Sequence, residues 1–397
     1  MNNKKGIMLV IALIVIVLLT ILSTGIFVRS ISETKSAAVF TNAKRAFWLA
    51  ESGIQKGIYE LNYNGAWSGT TQNSLSSGGD YEISLTSLSG SRYQITSTSY
   101  FPSKAAANAV ARTITAILKK SFSFDYATYA GADLSLAGNA ATNSYSSSEG
   151  AYGTSSINAN GDVGTNGDIS GSGNNYAVNG DAVISPDGEF DESDHISGDI
   201  VQQPEVTLIL PIVPATLAAL SSSGSISSTT TLSSGDYKYL NINLSSSDTL
   251  TITGPVNLYL TGATSISTSG TSSIVVDSAS SGAVTIYFDG DVDLTGQGIT
   301  NATNTPSNLL LLGTNSSEQD FDVSGQADFC GAVYAPTADM RISGQGTLCG
   351  SFVGNDVALS GNAAIHYDED LEDMELDLGS YQVESWKDSQ SPYAVTP

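Results

Sequence analysis

Hydrophobic patterning divides the chain into parts of different period. After Lys4-Lys5-Gly6 an uncharged apolar run extends from Ile7 to Val28, and a helix of that length rises about 33 Å, enough to cross the hydrocarbon core of a bilayer. A secretory signal has a shorter core followed by a small-residue cleavage site, and only the Ser23/Gly25 neighbourhood offers a weak one. Beyond the run, Phe40, Ala43, Phe47, Ala50, Ile54, Ile58 and Leu61 recur every three or four residues, while Lys44, Arg45, Gln55 and Lys56 fall largely elsewhere. That spacing places one apolar stripe on a helix. The first proline is Pro102, so the pattern predicts one continuous rod from Ile7 to Leu61, roughly 80 Å long.

Between Leu61 and Lys120 the period changes to two. Tyr81–Leu85 and Tyr93–Ser97 read as paired strands across a Ser-Gly-Ser turn at 89–91, and Val110–Leu118 as a third, its β-branched Thr113-Ile114-Thr115 outweighing a helical reading of Ala105–Ala107. The remaining two-thirds repeats an apolar-x-apolar-Ser/Thr-Gly-Gln/Asn phrase at Val292–Gln297, Phe321–Gln326, Met340–Gln345 and Val357–Asn362, with a fifth copy far upstream at Leu134–Asn139. The last intervals are 19 and 17 residues, the length of one small solenoid coil. Gly-Asp pairs at 161–162, 167–168, 180–181 and 290–291 continue this texture, so the 39 glycines read as corners. A low-complexity Ser/Gly stalk remains the alternative for 221–235. Leu208–Pro214, whose two prolines interrupt regular pairing, reads as a bridge between two β-rich parts.

Cys330 and Cys349 share a frame, Phe329-Cys-Gly and Leu348-Cys-Gly, 19 residues apart. If one interval is one coil, they stack on neighbouring rungs about 4.8 Å apart, within disulfide range. An exported, oxidising setting favours that bond; the other reading is a thiol ladder facing the coil interior. His366, flanked by Ile365 and Tyr367, falls at the same repeat position as Cys349 and reads as a stacked structural residue.

Charge changes the picture of partners. Residues 1–120 carry 12 Lys and Arg against 5 Asp and Glu, whereas 121–397 carry 3 against 34, within a total of −24. An acidic ectodomain repels nucleic acid and anionic lipid surfaces. Asp187, Glu189, Asp191, Glu192 and Asp194 form one acidic cluster and Asp368–Asp377 another. Oxygen donors at this density suit calcium, with Asp187, Glu189, Asp191 and Asp194 the candidate ligands, but neither cluster has EF-hand spacing and solvated charge explains each more simply. Leu371, Met374 and Leu378 at helical spacing suggest a polar cap over the last coil. The two histidines, His195 and His366, join no HExxH, CxxC or nucleophile-elbow motif. Among strong bases beyond residue 120 only Arg341 lies near repeated aspartates, Asp322 and Asp339, where a salt bridge is the simpler reading.

Lys4-Lys5-Gly6-Ile7-Met8-Leu9 followed by Ala46-Phe47-Trp48-Leu49-Ala50-Glu51-Ser52-Gly53-Ile54 resembles the N-terminal region of PilX-class type IV minor pilins. The resemblance implies cleavage by a prepilin peptidase after Gly6, N-methylation of Ile7, and assembly through a helix that includes Ile11, Phe40, Phe47 and Glu51. Most pilins carry Phe first and Glu fifth in the mature chain; here Ile7 and Ile11 stand there. That glutamate neutralises a neighbouring subunit's terminal amine in an apolar bundle, and its lack suits the filament tip. Gly331–Pro336, Gly350–Val353, Leu359–Asn362, Ile365–Asp368 and the ending Ser380–Trp386 resemble phrases of a region often fused to such N-termini.

The expected fold is α+β pilin-like, a long helix on a small antiparallel sheet, followed by an all-β solenoid. Its expected divisions are a leader over 1–6, a membrane or pilin helix over 7–28, amphipathic helix and sheet over 29–120, a solenoid over 121–367 with a proline-containing bridge near 204–230, and an acidic cap and tail over 368–397. The implied function is non-enzymatic: a minor pilin or pseudopilin near a filament tip, displaying an acidic solenoid for surface contact and needing no cofactor. Implied partners are other pilins, pilus assembly proteins, prepilin peptidase and membrane lipid. Lys4 and Lys5 leave the N-terminus cytoplasmic and the ectodomain exported. The competing reading is a membrane-anchored adhesin or polysaccharide-active β-helix protein.

Overall fold

A computed structural model describes residues 3–63, 67, 69–74, 78–88, 92–154, 156–173, 175–190, 193–203, 205–280 and 282–389. The chain divides into two compact units, one comprising 1–120 with 380–397 and the other 121–379. The expected turn at 89–91 lies outside the described residues.

In the first unit helix α1 spans Asn3–Tyr63 without a break. From Ile11 to Val28 its large apolar side chains are exposed, and α1 is long and apolar enough to cross a membrane. Its C-terminal half packs on a sheet through Ala43, Ala46, Leu49, Ala50 and Ile54, all buried. This face is narrower than the expected stripe. Phe40 is 59% exposed, one turn before Ala43 brings the helix against other elements, while Phe47, Ile58 and Leu61 pack half-buried against the core. Small residues set the approach: a Cβ at Gly53 would overlap Ser97 Oγ, and one at Gly57 would lie 2.8 Å from Ile95 Cδ1.

The sheet comprises β1 (Thr70–Ser74), β2 (Asp80–Ser87), β3 (Arg92–Phe101) and β4 (Val110–Ser123) in that order, with the C-terminal strand Glu375–Ser389 beside β4. β1 to β4 pair antiparallel, with Ile83 opposite Ser97 and Ser97 opposite Ile114. Two of these five strands differ from expectation. β1 has almost no apolar residue to signal it, and 375–389 was expected to be cap and tail. Strand period wins there because Leu376 and Leu378 alternate into buried sites, whereas the helical spacing of Leu371, Met374 and Leu378 yields only a 3-10 turn at Glu369–Leu371.

The second unit is β-rich, with parallel pairing throughout its named strands. One run stacks the strands beginning at 225, 241, 264, 291, 319, 338, 357, 134 and 169, in that spatial order. Along it Ile226, Ile242, Ile266, Val292, Phe321, Met340, Val357, Leu134 and Ile169 form one column of cross-strand partners, all buried. The five copies of the sequence phrase are therefore five successive members of one column, and the upstream copy docks on the last. Strands 249–260, 328–334 and 348–354 each pair with different neighbours in their two halves, so two further parallel runs follow the same spatial order.

Residues 221–235 are not a stalk: Ser225–Ile226 and Thr230–Tyr239 form the first strands of the stack. Leu208–Pro214 forms no strand or helix, and Ser225 already begins a strand. Val206 and Ile209 hydrogen-bond Asn166 and the Tyr334 hydroxyl, so the segment lies along the run that contains 332–334, 351–354, 128–130 and 163–165.

Candidate functional site

Three groups of residues carry chemistry beyond packing. The first is on α1. Gly6 and Ile7 fall in its first turns, and the Ile11 side chain is exposed within the apolar half. Further along, Glu51 Oε2 accepts a hydrogen bond from Trp386 Nε1 at 3.0 Å, and the Phe47 ring meets Trp386 edge-on at 6.1 Å. Tyr381 N donates to Asn62 Oδ1 at 2.6 Å, and Arg112 lies 3.6 Å from Asp388. The C-terminal strand is thus fastened to α1 and β4. The phrase Ser380–Trp386 was visible as a motif, but its partner was not, since nothing local ties residue 386 to residue 51.

The second group is the corner aspartates. Asp356 Oδ1 accepts from Asp133 N at 2.9 Å, Asp133 Oδ1 from Asp168 N at 2.9 Å, and Asp168 Oδ1 from Glu189 N at 2.8 Å. A parallel series runs from Asp162 to Asp181 N and from Asp181 to Asp199 N, at 2.7 and 2.8 Å. Each carboxylate satisfies a main-chain donor of the next rung that no strand partner reaches. The Gly-Asp order has a steric cause: a Cβ at Gly180 would overlap Asp162 Oδ1, and one at Gly198 would overlap Asp181 Oδ1.

Of the calcium candidates, Asp191 lies outside the described residues, and among the described residues no group of three or more His, Cys, Asp or Glu could hold a metal ion. The charge at 368–370 is not free solvated charge but an anchor. Asp370 accepts from Ser148 N at 2.6 Å and from the hydroxyls of Ser146, Ser147 and Ser148; Asp368 accepts from Ser147 N; Glu369 accepts from Ser144, Asn158 and Asn160. Burial pushes the Asp370 carboxyl up, but these donors outweigh it and hold it below the usual range. For Asp368 burial dominates and raises it. Arg341 pairs with Asp320 at 2.8 Å and Asp322 at 3.5 Å, largely exposed: the salt-bridge reading, with Asp320 rather than Asp339 as partner.

The third group lies beneath the loop that those acids anchor. Ser144 and Asn158 close its base through two backbone hydrogen bonds. It carries Tyr145 and Tyr152 over a column in which Cys330 pairs with Cys349 and Cys349 with His366. The shared register is the expected one. The side chains, however, do not face the interior: Phe329, Leu348 and Ile365 are buried there, and alternation turns the cysteines outward. Both are free thiols, with Cys349 buried and Cys330 partly exposed. They line a cavity of about 160 Å³ with Tyr145, Tyr152, Asn301, Asp328 and Thr347.

His366 stacks on Tyr152 at 3.6 Å, and its Nδ1 lies 2.8 Å from Asn143 Oδ1. Because the amide oxygen accepts, Nδ1 carries the proton. Burial lowers the His366 pKa to about 4, so the ring is neutral at neutral pH. The Cys330 thiol is raised, first by its hydrogen bond with the Cys349 thiol and then by burial. Tyr145 is fully buried, with its hydroxyl beside both thiols, an interaction that favours ionisation of Cys330 against those two influences.

A family model described as a domain of unknown function, DUF7305, matches residues 191–374. Among solved structures, the competence-associated pilin ComZ from Thermus thermophilus is similar at a TM-score of 0.27 and 12% identity, over 87% of this chain and 97% of that one. An ice-binding protein from the Antarctic ascomycete Antarctomyces psychrotrophicus is similar at 0.24 and 13%, over 62% of this chain and 94% of that one. Both scores are too low for a shared fold or function to rest on them. No curated protein matches the chain.

Proposed function

We propose that the chain is a PilX-like minor pilin or pseudopilin without catalytic activity, whose 121–379 unit is an acidic β-solenoid displayed for surface contact. The observation that carries this reading is α1: one 61-residue helix, apolar and exposed from Ile11 to Val28, packed on an antiparallel sheet in its second half. A plain signal anchor needs no such sheet-packed continuation. In the membrane, Ile7–Val28 holds the subunit with its N-terminus cytoplasmic; after extraction the same surface packs against neighbouring pilin helices. Ile11 in place of a glutamate supports a station at the tip, where no subunit amine above requires neutralising.

Mass spectrometry of the mature N-terminus tests the proposal. The expected product begins at N-methylated Ile7, and Gly6→Val blocks its formation. An intact Met1 terminus in cells with working prepilin peptidase would leave the anchored-adhesin reading instead. Immunogold label should mark filament ends; even label along the shaft would remove the tip assignment.

A further inference from the structure

We propose that the cavity beneath the Tyr145–Asn158 loop is a thiol–disulfide exchange site, with Cys330 the entry thiol and Cys349 the resolving thiol. Four observations converge on it. The thiols occupy paired positions on adjacent parallel strands, a separation that permits a disulfide. They point outward into a cavity of about 160 Å³, which leaves room for a small reactant that a sealed structural bond would not need. Their exposure differs: Cys330 is partly accessible, whereas Cys349 is 5% exposed, which fixes the order of attack. Finally, the fully buried Tyr145 lines the same cavity, and its hydroxyl, beside both thiols, favours ionisation of Cys330.

The reaction balances with a low-molecular-weight disulfide as oxidant. Cys330 loses its proton to solvent and its thiolate attacks one sulfur of the oxidant, forming a mixed disulfide and releasing one thiolate. Cys349, deprotonated in turn, attacks Cys330 Sγ, forming the Cys330–Cys349 bond and releasing the second thiolate. The two released thiolates take up the two protons. Two cysteines are oxidised and one external disulfide is reduced. The raised Cys330 thiol makes the first step slow at neutral pH and faster as pH rises, since only the thiolate attacks.

The experiment incubates the full-length protein in detergent with oxidised glutathione and follows both cysteines by alkylation and peptide mapping. Wild type should convert to the internal disulfide with no lasting glutathione adduct. Cys349→Ser should trap glutathione on Cys330. Cys330→Ser should react at Cys349 at least tenfold more slowly, and Tyr152→Ala, which uncovers the cavity, should restore much of that rate. Three results would overturn the proposal: oxidation only after unfolding, adduct forming first on Cys349, or a bond that glutathione cannot reduce in the native protein. Tyr145→Phe keeps the ring and removes the hydroxyl; equal exchange rates at every pH would remove the hydroxyl's role and leave a merely packed tyrosine.

Discussion

His366 couples the anchored loop to pH. Its folded pKa of about 4 lies below the ordinary value near 6.5, so between those values the unfolded chain binds a proton that the folded one refuses. Stability is therefore expected to fall as pH drops from about 6.5 to about 4, by at most ~3 kcal/mol from this group, and to show no further His366 loss below that window. Asp368, raised by burial, acts in the opposite sense. Comparing chemical denaturation of wild type and His366→Gln across pH 4–7 isolates the histidine; the variant should lose the slope. At the corners, Asp181→Ala strands the Asp199 N–H that its carboxylate accepts, and should cost about 1–2 kcal/mol. Asp181→Asn keeps an acceptor and should cost less. Equal losses in the two variants would show that the charge, not the acceptor, matters.

At the scale of elements, α1 and the head sheet depend on glycine contacts that admit no larger side chain. Gly53→Val should push the helix away from Ser97 and destabilise the first unit by about 1–3 kcal/mol, read as earlier proteolysis of residues 29–120 on heating. Trp386→Ala removes the Glu51 and Phe47 contacts, so the C-terminal strand should become protease-sensitive while the 121–379 unit stays intact. The extent of α1 was legible because no proline interrupts it, and β2, β3 and β4 because their apolar residues alternate. The column of repeats was legible because the stacked positions are nearly identical in type. What lay hidden depends on distant partners. β1 is a polar edge strand, the C-terminal strand borrows its place from β4, and the loop acids reveal their role only when Ser146–Ser148 arrive from more than 200 residues upstream. The outward turn of the cysteines was also hidden, since register fixes neighbours but not which face they line.

For the whole molecule, the apolar exposed half of α1 should govern solubility. The full chain is expected to partition into detergent on phase separation, and a chain lacking residues 1–28 to stay aqueous, because the large acidic unit is compact without the helix. Partition of the shortened chain into detergent would point to a second membrane-active surface.

The stacking order of the parallel strands has a consequence for biogenesis. Asn139 bonds Asn362 across 223 residues of sequence, and strand 141–145 pairs with 364–368. During synthesis the strands of 128–145 emerge early, yet their permanent neighbours arrive last; at 5–20 residues per second the wait is roughly 10–45 s. Throughout it, one edge of the nascent stack offers unsatisfied main-chain groups to any passing extended chain. A chaperone would have to shield that edge. Chains truncated before residue 348 should never satisfy it, and are expected to aggregate where full-length chains do not.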